Sequence, residues 1–245
     1  FMRMYLTGFQ DSATIRFGEL SLVSNTWRPF GFVLDTSDNY TSLPAGSPTS
    51  LTITQVNTQD NSLRTPIPYK MPPGVQQLQT LQGAGSVSNG STYLEKEQSM
   101  SLNISNLAKS DSRAVIKSMN MDMRQYGEMS MYIHAESVPG QTPVRNNDLV
   151  AVVRLGQDFI NNYYEIRIPL QVTQPNPSAT AEQIWPDSNR LLVALQDLVS
   201  LKLDRNANRV ALNTIYSEQK GGQTYAVKGN PNLAEVTSYL IGVEN

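Results

Sequence analysis

Apolar and polar side chains alternate with a period of two through long stretches of this sequence, the signature of strands that bury one face. The strongest instance runs from Leu149 to Leu170 and is predicted to be a hairpin. Its first arm, Leu149 to Leu155, is short and rich in Val, and Gly156, Gln157 and Asp158 supply the turn chemistry. The second arm puts Tyr164, Ile166, Ile168 and Leu170 on one side and Tyr163, Glu165 and Arg167 on the other. Pro169 has no N–H to give a ladder and belongs at the strand's end or on an edge.

The same pattern recurs in both directions from the hairpin. Met2, Met4 and Leu6 alternate with Arg3 and Tyr5, so the chain is expected to open on a strand. In Thr14 to Val23 the apolar parity changes between Ile15/Phe17 and Leu20/Leu22, which predicts a β-bulge at Gly18-Glu19. Further strands are expected at 32–34, 51–56, 97–107, 113–118, 129–135, 191–195, 210–216, 225–227 and 236–243. The segment 97–107 is the clearest of these, with Met100, Leu102 and Ile104 set against Ser99, Ser101, Asn103 and Ser105. Helix is confined to a turn within Met119–Tyr126, closed by Gly127, and about two turns over Asp197–Leu203. Trp27 and Phe30 read as large core anchors.

Two stretches break the alternation. Residues 35–50 turn to Ser, Thr, Asn, Pro and Gly, and residues 57–96 hold the proline-rich Arg64–Gly74 and a glycine-spaced run after it, so both are predicted to be long loops. Short antiparallel strands with little helix point to an all-β fold: one antiparallel β-sandwich domain of jelly-roll type over 1–245, with long loops and one or two short helices.

Composition narrows the function classes. The 245 residues carry a formal charge of −2 and only 16% charged side chains, and no Lys/Arg run has the footprint of a nucleic-acid binder. With no cysteine, disulfides, cysteine nucleophiles and thiolate metal sites are excluded. No apolar run reaches the roughly 18 residues of a membrane-spanning helix, and no signal peptide opens the chain. Beginning at Phe1, the chain is expected to be a piece of something larger.

Candidate chemistry is sparse. His134, the only histidine, would have to serve any Ser-His-Asp arrangement, but no Gly-x-Ser-x-Gly elbow accompanies it. Its parity places it on the outer face beside Tyr132 and Glu136 as a solvated side chain. Glycosidase chemistry needs two facing carboxylates, and Asp158 with Glu165, or Asp122 with Glu136, are read instead as turn and outer-face charges. Asp35-Thr-Ser-Asp38-Asn39 lacks the repeating pattern of a calcium loop, and Gly83-Ala-Gly85 lacks the strand-to-helix setting of a phosphate loop. No catalytic residue, cofactor or metal is therefore expected. Six of the nine methionines fall between Met100 and Met131, where they fill core gaps. Outward tyrosines remain: Tyr132 and Tyr163, with Tyr69, could stack on sugar rings. The candidate binding face is accordingly Tyr132, His134, Tyr163 and Arg167, and a carbohydrate-binding module of a surface enzyme or adhesin is the alternative function.

Several phrases occur in one order along the chain: Ile15-Arg-Phe-Gly-Glu-Leu-Ser-Leu-Val-Ser-Asn-Thr-Trp27-Arg28, Pro66-Ile-Pro-Tyr-Lys-Met-Pro-Pro-Gly74, Glu97-Gln-Ser, Asp122-Met-Arg124-Gln-Tyr126, His134-Ala-Glu136, Val153-Arg-Leu-Gly-Gln-Asp-Phe159, Asn162-Tyr-Tyr-Glu165, Trp185-Pro-Asp-Ser-Asn189 and Gly229-Asn-Pro-Asn-Leu233 running into Ile241-Gly-Val-Glu-Asn245. Together they resemble the SprA/Sov family, the very large gliding-motility and type IX secretion proteins of the Bacteroidetes cell surface. The resemblance implies a non-catalytic structural and interaction domain of an outer-membrane translocon, a giant β-barrel through which folded cargo leaves the cell. The domain would lie outside the lipid on the periplasmic or cell-surface side and would not itself span the membrane. Its partners would be other domains of the same chain, secretion-system proteins and secreted cargo. Trp27, Trp185 and Tyr164 are then expected to define the fold, with Asp122 and Arg124 as a structural ion pair. Asp11-Ser12-Ala13 matches the short motif at which periplasmic proteins of that phylum are O-glycosylated.

Overall fold

The structure, a computed structural model, describes residues 26–35, 39–75, 79–81, 92–94 and 97–245. The expected strands at 2–6 and 14–23 lie outside the described residues, as do the bulge at Gly18, Asp11-Ser12-Ala13, Asp38 and Gly83-Ala-Gly85. Within them the elements run β1 (Arg28–Pro29), β2 (Ser50–Asn57), α1 (Thr58–Asn61), β3 (Gln79–Leu81), β4 (Thr92–Leu94), β5 (Gln98–Ser105) and β6 (Ser112–Met121). After a 3₁₀ turn at Met123–Gln125 come β7 (Glu128–Met131), β8 (Val150–Gly156), β9 (Tyr163–Pro169) and α2 (Ala181–Ile184). A second 3₁₀ turn leads to β10 (Leu191–Ala194), α3 (Leu195–Ala207), β11 (Tyr216–Lys220), β12 (Gln223–Lys228) and β13 (Val236–Glu244).

The predicted hairpin, β8 with β9, forms the middle of a seven-stranded sheet ordered β1-β6-β13-β8-β9-β12-β11. Every neighbouring pair in it is antiparallel. Leu155 lies opposite Tyr164 and Val153 opposite Ile166, so the apolar parity read from the sequence sets the register. That side of the sheet packs against the antiparallel ribbon β7–β10 and helix α3, through Leu191, Val193, Leu195, Leu198 and Leu201. Here lies the main core.

The opposite side is covered as well, and this corrects the expectation of an outer face. Phe30 and Leu34, on the extended segment after β1, close over Val152, Ala114 and Leu240. Tyr163, expected outside, is fully buried with the Arg154 guanidinium over its ring, because alternation reports which residues share a side and not whether the side meets water. Trp27 is only partly buried and packs beside Tyr239, their ring centroids 5.7 Å apart. Segment 32–34 makes a single bridge, Phe32 to Ser42, rather than a strand. β7 stops at Met131, short of Ala135. α3 extends well past Leu203, since Leu195, Leu198, Leu201 and Arg205 are all buried on one stripe.

Candidate functional site

Two clusters of polar side chains stand out, and each joins phrases that lie far apart in sequence. The first is the corner at the β8–β9 turn. Asp158 Oδ1 accepts the backbone N–H of Ile160 (2.8 Å), Asn162 (3.0 Å) and Asn161, while Oδ2 accepts Asn162 Nδ2 at 2.9 Å. Burial alone would raise the Asp158 pKa, but these bonds outweigh it and hold the carboxyl below its usual range. Gln157 Nε2 donates to the carbonyls of Asn232 and Glu235, each at 2.7 Å, and its Oε1 accepts Asn232 N–H at 2.9 Å. The Gln157 carbonyl accepts the hydroxyls of Thr237 (2.9 Å) and Ser238 (3.1 Å), and Asn162 Oδ1 accepts Asn230 N–H at 3.0 Å. Gly229, at φ +69°, seats its carbonyl on the buried Arg205 guanidinium.

The second cluster lies under the proline-rich strap. Tyr69 is buried, and its hydroxyl reaches Glu97 Oε1 at 2.6 Å and Ser99 Oγ at 2.7 Å. Trp185 stands edge-on to Tyr69, centroids 6.0 Å apart, and its Nε1 donates to the Lys70 carbonyl at 2.7 Å. Glu136 accepts both terminal nitrogens of Arg64, Nη1 to Oε2 at 3.0 Å and Nη2 to Oε1. Its Oε2 also lies 3.3 Å from His134 Nε2, while His134 Nδ1 meets the Ile184 carbonyl at 2.8 Å. Burial pushes the Glu136 carboxyl up, but hydrogen bonds from His134 and Arg64, with the Arg64 charge, bring it down to about 2.

The second cluster yields two direct tests. Trp185→Phe keeps the aromatic packing and leaves the Lys70 carbonyl unpaired, so a loss of about 1–2 kcal/mol is expected in urea unfolding. Glu136, depressed from 4.5 to about 2 in the fold, contributes stability that is present above about pH 4.5 and is lost as pH falls toward 2. Melting temperatures followed by circular dichroism through that window should fall less steeply for Glu136→Gln than for the parent chain. An unchanged slope would remove Glu136 from the acid response.

Beyond the strap, Asn189 acts as a substitute strand. Its Oδ1 accepts Gln171 N–H at 2.7 Å and its Nδ2 donates to the Gln171 carbonyl at 2.8 Å, so Trp185-Pro-Asp-Ser-Asn189 holds the end of the hairpin on one side and the strap on the other.

The residues nominated as a binding face are not brought together. Tyr163 is buried under the Arg154 guanidinium, 4.4 Å from its ring centroid, and burial pushes its hydroxyl up to about 12. Arg167 is committed to Glu165 (2.7 Å) and Glu244 (2.8 Å). His134, expected in solvent, is mostly covered by Trp185 and the Ile184 carbonyl. Tyr132 keeps some exposure but carries the Arg190 guanidinium 5.0 Å from its ring centroid. Among the residues expected to shape the fold, Trp185 and Tyr164 are buried. Asp122 and Arg124 pair at 2.7 Å on the surface, where Asp122 also accepts Arg124 N–H at the start of the 3₁₀ turn.

Sequence reasoning gave no role of their own to Arg64, Arg154, Asn189 and Arg205, and outside the family phrases it read Gln157 as a turn residue. Arg154 offered a signal, a lone cation inside the Val-rich run 149–155. Its Nε donates to Glu165 Oε2 at 2.5 Å, both side chains being 2% exposed. Among the described residues no three His, Asp or Glu side chains are placed to share a metal ion, and no helix is long and apolar enough to cross a membrane.

The phrases that meet in these clusters are those that carried the resemblance. Comparison with family models matches residues 1–245 to SprA_N, described as a motility related/secretion protein. The chain belongs to the SprA_N family. No curated protein matches it. Within this SprA_N chain, Gln157 meets Gly229-Asn-Pro-Asn-Leu233 through Asn232, and His134-Ala-Glu136 meets both the strap and the Trp185 ring.

Proposed function

We propose that this SprA_N chain is a non-catalytic structural and interaction domain of an outer-membrane protein-secretion translocon of the type IX, gliding-motility kind, lying outside the lipid. The observation that carries the reading is how the family's phrases spend their polar side chains. Gln157, Asp158, Asn162, Asn189, Trp185 and Glu136 all bond to other parts of the same chain, which suits a part whose shape is its product. The chain serves as one β-sandwich domain whose second layer is the β7–β10 ribbon with α3. Its partners are neighbouring domains of a larger polypeptide, secretion-system proteins and cargo. The carbohydrate-binding alternative rested on outward tyrosines, and burial of Tyr163 takes away its anchor.

Depletion of the full-length protein in its own cells tests the proposal. Cargo that accumulates inside the cell envelope, with loss from the medium, is the expected result. Unchanged export would overturn a role in secretion.

A further inference from the structure

His134 stands between the proline-rich strap and the segment that carries Trp185, and among the described residues its ring nitrogens meet only acceptors. Nδ1 lies 2.8 Å from the Ile184 carbonyl and 3.3 Å from Thr173 Oγ1, whose own proton goes to the Gln183 carbonyl. Nε2 lies 3.3 Å from Glu136 Oε2. A carbonyl has no proton to give, and the Glu136 carboxyl, held down to about 2, stays ionised throughout the range in which imidazoles titrate. A neutral imidazole donates from one nitrogen and accepts at the other, and only the imidazolium donates from both. This set of contacts therefore calls for both ring protons.

The neighbouring charges tie that ring to the strap. Glu136 lies on its own segment, and Arg64 reaches in from the strap to share Glu136 Oε2 with His134, at 3.0 Å. Tyr69, also on the strap, turns its hydroxyl to Glu97 and Ser99. From residues 173–185 come Thr173, the carbonyls and the Trp185 ring, its centroid 5.8 Å from that of His134. Glu182 and Lys70 are exposed, and the Arg190 guanidinium lies over Tyr132. Losing either ring proton weakens a strap tie. Without it, Nε2 turns a lone pair on Glu136 Oε2, the oxygen that holds Arg64. Nδ1 without its proton does the same to the Ile184 carbonyl, and the next residue, Trp185, donates to the Lys70 carbonyl at 2.7 Å. We propose that His134 is a proton-operated latch: with both ring protons it fastens the strap to the Glu136 and Trp185 segments, and as pH rises and one proton leaves, the strap loosens. The sense is opposite to that of Glu136, whose contribution is lost as pH falls.

Histidine occurs once in the 245 residues, so the imidazole signals in proton–nitrogen correlation spectra belong to His134. At about pH 5.5, the lower end of the imidazole range, both ring nitrogens should carry protons. The Trp185 indole N–H, told from that of Trp27 with Trp27→Phe, reports the tie to Lys70. Its protection against solvent exchange, corrected for the base-catalysed rate of a free indole, should fall between about pH 5.5 and about pH 8 as one ring proton is lost. A fall of about tenfold or more is expected, the size of a lost hydrogen bond to a charged group. His134→Gln, neutral at every pH, should show the same protection at both. Parent protection that holds constant across the range, a single ring N–H at the lower pH, or an equal fall in His134→Gln would overturn the proposal. Should His134→Gln fail to fold, the first two outcomes decide.

Discussion

Glu165→Ala is expected to destabilise the chain by about 3–5 kcal/mol, the range for removing one partner of a buried ion pair. Glu165 lies on β9 with both carboxylate oxygens taken, Oε2 by Arg154 at 2.5 Å and Oε1 by Arg167 at 2.7 Å. Burial opposes its ionisation, and the charges of Arg154 and Arg167 outweigh that and hold it below the usual carboxylate range. Without it, the Arg154 guanidinium stays buried beside Tyr163 on the carbonyls of Phe159 (2.8 Å) and Asp35 (3.1 Å), with its carboxylate partner gone. The cost is therefore an uncompensated buried charge rather than the worth of one contact. Arg154→Met combined with Glu165→Leu should recover much of the loss in urea unfolding, because well-packed apolar residues replace such pairs at little or no cost. A double variant as unstable as Glu165→Ala would mean that the loss came from packing.

The second large effect is at Gly229. Its φ of +69° lies in the left-handed region, and a Cβ there would overlap the Asn161 carbonyl oxygen. Gly229→Ala combines left-handed strain of about 1–2 kcal/mol with an overlap of backbone atoms, of the size that overpacking costs, about 1–3 kcal/mol. A loss of roughly 2–5 kcal/mol is expected on adding these. Gly222, at φ +79°, would meet nothing within 4 Å, so Gly222→Ala reports the strain alone. Equal losses for the two variants would show that the corner yields to the added methyl.

Gly229 and Glu165 also mark where sequence reasoning works and where it runs out. Period-two alternation located β8, β9 and β5 to within a residue or two, and Pro169 closes β9 as its missing N–H requires. Parity correctly grouped Tyr163, Glu165 and Arg167 on one side. It could not say that Phe30 and Leu34, more than a hundred residues earlier, would cover that side, because a covering segment leaves no periodic trace in the strand it covers. Nor could it say that Arg154 would lie over Tyr163, a ring expected at the surface and found buried. α3 was read too short because its strand-like start, Leu191 to Leu195, hid the helical stripe that Leu195 begins. Gln157 and Asp158 announced a turn by type alone. The bonds of Gln157 to Asn232, Glu235 and Thr237 span about eighty positions and became visible only once β13 lay beside β8. The family resemblance named both partners of that corner without joining them.

An immunoblot of fractionated cells, with antibody raised against this chain, tests most directly that it is part of a secretion translocon in the outer membrane. A single very large band in the outer-membrane fraction is the result this account predicts. A medium-sized band in the soluble or secreted fraction would contradict it.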